Sequence, residues 1–227
     1  MRNRLRLIFS AITFLTLFTT TTHSDPRPCP QDMVLAKPGV CIDRFEWPNK
    51  PGQRPMLGAS GLPEQHDVKA GRVMDAQRLC ASVDKRVCNA REWVAACEGQ
   101  DDAKYPFGED LPEFVPGDGT GLCNYDKHFI GPDENKVFAR DPKEMKRLDQ
   151  SEPAGTRKTC RSASGAFDMV GNAEEWVRCD HGEYGWCLAS RFWAEPVSCH
   201  NLIVTHAPRW HYYSTGFRCC KDIKEHQ

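Results

Sequence analysis

Twelve cysteines constrain the fold of this 227-residue chain more than any other feature. All of them follow the first 24 residues, and a high, even number of cysteines in an exported chain is typical of disulfides. Zinc sites instead need close pairs such as C-x2-C. The closest cysteines here are the adjacent Cys219 and Cys220, followed by pairs eight positions apart. We therefore predict six disulfides and no zinc site.

The sequence excludes one disulfide pairing. If residues 90–97 form an intact helix, Cys88 and Cys97 lie about 12 Å or more apart at 1.5 Å per residue. A disulfide needs Cα atoms within about 7 Å of each other. The remaining connectivity stays open at this stage.

The N-terminus has the pattern of a secretory signal peptide. Three arginines within the first six residues precede an apolar run, Leu7 to Phe18, and the small residues Thr22 and Ser24 follow. We predict a signal peptide over residues 1–24, a single domain over residues 25–227, and export to the periplasm or the exterior. The alternative is an uncleaved anchor, although the apolar run is short for a membrane span. No membrane span is expected after cleavage.

The charge balance excludes one class of partner. The signal peptide holds three of the 30 basic residues and none of the 31 acidic ones, so the rest of the chain has a net charge of −4. Nucleic-acid binding needs basic surface that neutralises phosphates. We therefore expect no nucleic-acid partner.

Short elements are predicted along the chain. Apolar spacing indicates a helix near residues 75–83. A second helix, in "NAREWVAAC", is capped by Asn89 with Glu92 closing a capping box, and Gly99 follows its end. The segments "MVLA", "VCIDRFEW" and "FRCC" are strand-like. The charged run 140–149 is typical of a solvated loop or a helical turn. Together these features favour an irregular, disulfide-rich α+β domain.

The pattern Asn-Ala-x-Glu-Trp-Val occurs twice, beginning at Asn89 and Asn172. The flanking sequences differ, whereas a duplication would match over a longer stretch. We interpret the two copies as a shared helix-capping device.

The second copy also allows a calcium site. Asp168 and Glu175 bracket a Gly-Asn turn, where two carboxylates and backbone carbonyls could form the oxygen cage that calcium favours. In the alternative, Asn172 and Glu175 form only a capping box, and Asp168 is a solvated turn residue.

The longest motif, "FDMVGNAEEWV", resembles the signature of the formylglycine-generating enzyme, or sulfatase-modifying factor, family. "MVLAKPGVCIDRFEWPN", "DAQRLCASVDKRVCNAREWVAACEG", "YPFGE", "CN" and "TGFRCC" follow the family order from Met33 to Cys220. The resemblance implies a modified C-type-lectin-like fold. It also implies a structural calcium ion held by Asp168, Gly171, Ala173 and Glu175, and a second at Asn124 and Tyr125.

Catalytic members of that family oxidise a substrate cysteine to formylglycine with O₂, using copper held by two thiolates five positions apart. No two cysteines of this chain have that spacing. In "CLASRFWAEPVSCH", Glu195 falls at the first copper position and Cys199 lies one position from the second. We therefore expect no copper, and we expect Cys199 to pair with a distant cysteine such as Cys219 or Cys220.

Some relatives are iron enzymes that use histidine ligands. His200, His206 and His211 lie close together in this sequence, and imidazoles can bind iron or copper. With Cys199 they are weak catalytic candidates, because their spacing fits no single helical face. Nearby aromatic residues could line a pocket or belong to the core.

Two functions follow from these expectations. The first is a non-catalytic, calcium-stabilised domain that binds a protein or a glycan. The alternative is a divergent metal-dependent oxidoreductase acting on a protein or a small molecule.

Overall fold

The computed structural model describes residues 28–65, 69, 74–99 and 102–224, and the predicted signal peptide lies outside them. The described helices are α1 (Ala76–Ala81), α2 (Ala90–Glu98), α3 (Glu134–Phe138) and α4 (Pro142–Leu148). The described strands are β1 (Met33–Lys37), β2 (Val40–Asp43), β3 (Arg86–Val87), β4 (Glu174–Arg178), β5 (Trp186–Ala189), β6 (Leu202–Ile203), β7 (Thr215–Gly216) and β8 (Cys219–Asp222).

The strands form two four-stranded sheets, with the orders β1-β2-β8-β3 and β6-β5-β4-β7. Pairing is antiparallel except between β4 and β7, which run parallel. The chain passes from the second sheet to the first through Phe217 and Arg218, which join β7 to β8. Both residues are fully buried, so this crossing lies in the interior. The irregular α+β architecture predicted from the sequence is confirmed.

Helix α2 forms as its sequence predicts. The Asn89 side chain accepts a hydrogen bond from the Glu92 amide at 2.9 Å, and Glu92 accepts one from the Asn89 amide at 2.9 Å. Gly99 has a φ of 75° and ends the helix, a left-handed conformation that glycine adopts without steric cost. The buried Trp93 anchors the inner face of the helix.

The charged run 140–149 is more ordered than a loop or a single helical turn. Asp141 caps α4 by accepting hydrogen bonds from the amides of Lys143 and Glu144, and Pro142 occupies the first turn, where its missing N–H is not needed. Leu148 is buried. A capping residue and one buried apolar side chain therefore stabilise a helix that the pattern of charges did not predict.

The second copy of the Asn-Ala-x-Glu-Trp pattern is a strand, so its interpretation as a helix cap is wrong. Asn172 has a φ of 60°, whereas Asn89 has the extended φ of −86° that an N-cap requires. The residues after Asn172 form β4, which pairs with β5 and β7. Sheet pairing with distant segments overrides the local helical preference.

All twelve cysteines form disulfides, as predicted. The pairs are Cys29–Cys41, Cys80–Cys219, Cys88–Cys220, Cys97–Cys199, Cys123–Cys160 and Cys179–Cys187. The exclusion of Cys88–Cys97 is confirmed. The expected partners of Cys199 are wrong, because β8 turns Cys219 and Cys220 towards α1 and Cys88.

Six disulfides are typical of proteins that function in an oxidising, extracellular environment. Within the described ranges, no helix is long and apolar enough to cross a membrane.

Candidate functional site

The turn that precedes β4 places the predicted calcium ligands in the interior. Asp168, Gly171 and Asn172 all have left-handed φ values, of 56°, 77° and 60°. A Cβ atom at Gly171 would lie 2.3 Å from the Asn124 carbonyl oxygen, so only glycine allows this close approach. The turn therefore packs directly against the segment that contains Asn124 and Tyr125.

Asn172 joins these two segments. Its side-chain oxygen accepts hydrogen bonds from Asn124 Nδ2 at 2.9 Å and from the Glu152 amide at 2.8 Å. Its Nδ2 donates to Glu46 Oε2 at 2.5 Å. Asn172, which lies between the predicted ligands Gly171 and Ala173, thus connects the turn to Asn124 of the second predicted calcium position.

Three carboxylates and one guanidinium are buried together beside this turn. We call Glu46, Asp168, Glu175 and Arg218 the acidic centre, and each is at most 4% exposed. Arg218 Nε and Nη2 donate to both oxygens of Glu175 at 2.6–3.0 Å. Trp93 Nε1 donates to Glu175 Oε2 at 2.8 Å. This ion pair links α2, β4 and the crossing between the sheets.

The acidic centre perturbs the ionisation of its members. Burial raises the pKa of Glu46 well above its ordinary value, and the nearby Asp168 and Glu175 raise it further. Burial also raises the pKa of Asp168 to about 6, although the Gly155 amide and Arg218 oppose this shift. Burial alone would lower the pKa of Arg218, but the charge and hydrogen bonds of Glu175, together with the charges of Glu46 and Asp168, raise it overall. Three carboxyl groups in the centre thus share one guanidinium, and the ionised form of Glu46 and of Asp168 is disfavoured.

The acidic centre offers donors of the type that a hard cation prefers, although no three carboxylates of the described residues are arranged to hold one. The available donors are oxygens, which calcium prefers, and the buried Glu46 Oε1 has no hydrogen-bond partner in the described part of the chain. Glu175 fits less well, because Arg218 and Trp93 already bond both of its oxygens. Glu175 could therefore bind calcium only by giving up part of its ion pair.

Asn124 has an open acceptor at the second predicted position. Its Nδ2 donates to Gln150 O at 3.1 Å and to Asn172. Its buried Oδ1 makes no hydrogen bond with any described residue. Asn124 can therefore offer an oxygen to a cation without breaking a contact.

The weak catalytic candidates have separate partners. Cys199 is buried in its disulfide with Cys97. His200 Nε2 lies 2.7 Å from Glu98, His206 stacks on Trp210 with ring centroids 3.8 Å apart, and His211 Nδ1 lies 3.3 Å from Glu64. In the ranges that the structure describes, no three His, Cys, Asp or Glu side chains are arranged to hold a metal.

Most aromatic residues of this region belong to the core. Trp186, Trp193 and Tyr213 are each at most 2% exposed. Trp210 is partly buried between His206 and Tyr212, and it stacks on both rings.

Sequence reasoning missed Glu46 and Arg218 as parts of this site. Glu46 follows the buried Phe45 in "RFEWP", and Arg218 lies in "GFRCC", where every residue is buried. A charged residue among buried neighbours usually has a paired partner, and this signal could have indicated a buried pair. The identity of the partner required the tertiary structure.

The sequence profile of the sulfatase-modifying factor enzyme 1-like domain matches residues 63–223. The chain belongs to this family. The match includes the turn at Gly171, strand β4 and Arg218, so the acidic centre lies largely inside the family domain. No protein in a comparison with curated sequences matches this family member.

Among solved structures, the overall fold is similar to that of a Major Tropism Determinant. The Major Tropism Determinant U1 variant is 11% identical with a TM-score of 0.53, and the match covers 87% of this chain and 54% of that one. CarF is 19% identical with a TM-score of 0.41, covering 62% and 48%. PvdO from Pseudomonas aeruginosa is 17% identical with a TM-score of 0.45, covering 82% and 69%. The chain spans about half the length of the first two.

Proposed function

We propose that this family member is an exported, non-catalytic binding or accessory domain, periplasmic or secreted, whose partner is a protein or a glycan. One observation carries the proposal, namely that every cysteine is in a disulfide. The copper chemistry implied by the family resemblance needs two accessible thiolates. The residues of this chain do not fit a copper–thiolate centre, so we derive no oxidation step.

Counting free thiols tests this proposal. We expect the denatured, unreduced protein to show none of its twelve cysteines in a thiol titration, and the reduced protein to show all twelve. With added Cu(I), we expect no oxidation of a cysteine-containing peptide. Two reactive thiols in the unreduced protein, or turnover of the peptide, would contradict a non-catalytic role.

A structural calcium ion is the second part of the proposal. Asp168 and the carbonyls of Gly171 and Ala173 would hold it, with Glu175 shared with Arg218. Asn124 and Tyr125 would hold a second ion. Calcium would balance the charge of the ionised carboxylates in the acidic centre. The unpartnered oxygens of Glu46 and Asn124 support this proposal.

We expect excess calcium to raise the melting temperature relative to EDTA. A ligand at 100 times its dissociation constant adds about 2.7 kcal/mol, which corresponds to about 5–10 °C for a chain of this size. Asp168→Asn keeps an acceptor for the Gly155 amide but loses the charge, so its response should shrink. Asp118→Asn, in an exposed loop, should respond like the parent. An unchanged melting temperature of the parent in EDTA would sink the calcium proposal.

Elemental analysis addresses the alternative oxidoreductase. The separate partners of His200, His206 and His211 give that hypothesis no structural support. Iron or copper at about one atom per purified chain would support the oxidoreductase hypothesis.

A further inference from the structure

A cleft of about 320 Å³ lies between α2 and β6, and no residue of the acidic centre lines it. We call it the α2–β6 cleft. Its floor is aliphatic and consists of Ala90, Val94 and Ala95 from α2 together with Leu202 from β6. This volume is at the lower end of the range for ligand pockets, which are mostly apolar with a few convergent polar groups.

Two disulfides hold the walls of the cleft in place. The Cys97–Cys199 disulfide ties the last turn of α2 to the segment before β6. The Cys179–Cys187 disulfide closes the loop after β4. The exposed pair Arg91–Asp180, at 3.0 Å, adds only a weak contact between the start of α2 and this loop. A cleft with such walls loses little conformational entropy when it binds a ligand.

The two ends of the cleft differ in charge. At one end Arg91 is paired with Asp180, whereas Arg178 lies 4.6 Å over the Trp186 ring and has no ion-pair partner among the described residues. At the other end is Glu98, whose contact His200 is charged only when protonated. Positions 91 and 98 of a helix are about 10 Å apart along its axis. That distance matches about three residues of extended chain.

We propose that the α2–β6 cleft binds an extended peptide segment of a partner protein. An aliphatic side chain of the peptide packs on the floor, an acidic side chain faces Arg178, and a basic side chain faces Glu98. A glycan fits this floor less well, because hydroxyl groups buried against aliphatic carbon would lack hydrogen-bond partners. The inference rests on the binding role proposed above and selects a protein over a glycan.

Four labelled, end-blocked tetrapeptides test the inference: Glu-Leu-Leu-Lys, Lys-Leu-Leu-Glu, Glu-Leu-Leu-Glu and Lys-Leu-Leu-Lys. We expect one of the two mixed-charge peptides to bind at least tenfold more tightly than both same-charge peptides. Ala95→Trp fills the cleft and should abolish this binding. Ala139→Trp, which places the same ring at the exposed end of α3, should leave it unchanged.

A charge exchange keeps the test decisive if Ala95→Trp does not fold. The double variant Arg178→Glu, Glu98→Lys should reverse the preference between the two mixed-charge peptides. Equal binding of all four peptides, or glycan binding that Ala95→Trp removes, would overturn the peptide assignment. Such a failure leaves the thiol and copper experiments unaffected, so it is distinguishable from failure of the non-catalytic role.

Discussion

Removing Cys80–Cys219 and Cys88–Cys220 together is expected to lower the free energy of unfolding by about 6 kcal/mol. These two disulfides hold neighbouring residues of β8 to α1 and to the residue before the α2 cap. Without both disulfides, β8 and the start of α2 stay connected through Cys97–Cys199. Restoring Cys88–Cys220 would then close a loop of about 30 residues. Domains are stable by only about 5–15 kcal/mol, so the quadruple alanine variant should be close to unfolding at 25 °C.

Each of the two disulfides should contribute less than its sequence separation implies, because the other disulfide already shortens the loop that it closes. Cys80–Cys219 spans 139 residues, which alone corresponds to about 5 kcal/mol of loop entropy. While Cys88–Cys220 remains, however, the newly opened loop has only about ten residues, and the expected loss is about 3 kcal/mol.

Unfolding in guanidinium chloride measures these losses of free energy. Both cysteines of each removed disulfide are replaced by alanine, so that no unpaired thiol remains. Cys29→Ala, Cys41→Ala is the control, since its 12-residue separation also predicts about 3 kcal/mol. If removing one of these two disulfides lowers the free energy of unfolding as much as removing both, the two disulfides do not constrain the same loop.

Replacing Arg218 by methionine should cost about 3–5 kcal/mol, because it leaves the carboxylate of Glu175 buried without its ionic partner. Both side chains are 0% exposed, so water cannot replace the guanidinium. The Trp93 indole would remain as the other donor to Glu175, and a single neutral donor does not balance a buried charge.

Two further variants separate loss of the ion pair from loss of packing. Arg218→Met combined with Glu175→Gln removes both charges and keeps an acceptor for Trp93, so at least half of the lost stability should return. Arg91→Met breaks an exposed pair, in which the two side chains are 80% and 69% exposed, and should cost less than about 1 kcal/mol. Urea unfolding followed by tryptophan fluorescence measures all three variants. A loss of similar size for Arg218→Met and Arg91→Met would mean that the buried pair has no special role.

Sequence motifs predicted the elements that are stabilised by contacts between neighbouring residues. Helix α2 carries its own cap at Asn89, and this cap works wherever the helix lies. The two central strands β4 and β5 were missed because their sequences have no clear alternation. Both faces of β4 and β5 are largely buried between other elements, which removes the periodic pattern of a half-exposed strand.

The candidate site was predicted in part. The turn at Asp168, Gly171 and Ala173 was identified from the family signature, and whether it binds calcium remains a prediction. Arg218 lies 43 residues from Glu175 in sequence. Since no local rule connects residues at that separation, their pairing could not be predicted.

The sequence by itself determined that this chain is rich in disulfides, that it has no pair of cysteines at the copper spacing, and that it resembles one family over most of its length. These are properties of residue type and order. Only the tertiary structure decided how the two Asn-Ala-x-Glu-Trp segments differ. One is a capped helix, the other is a strand, and Trp93 of the first donates a hydrogen bond to Glu175 of the second. The physical reason is that the Glu92 carboxylate accepts a hydrogen bond from the Asn89 amide of its own helix. The buried Glu175 carboxylate is instead paired with Arg218.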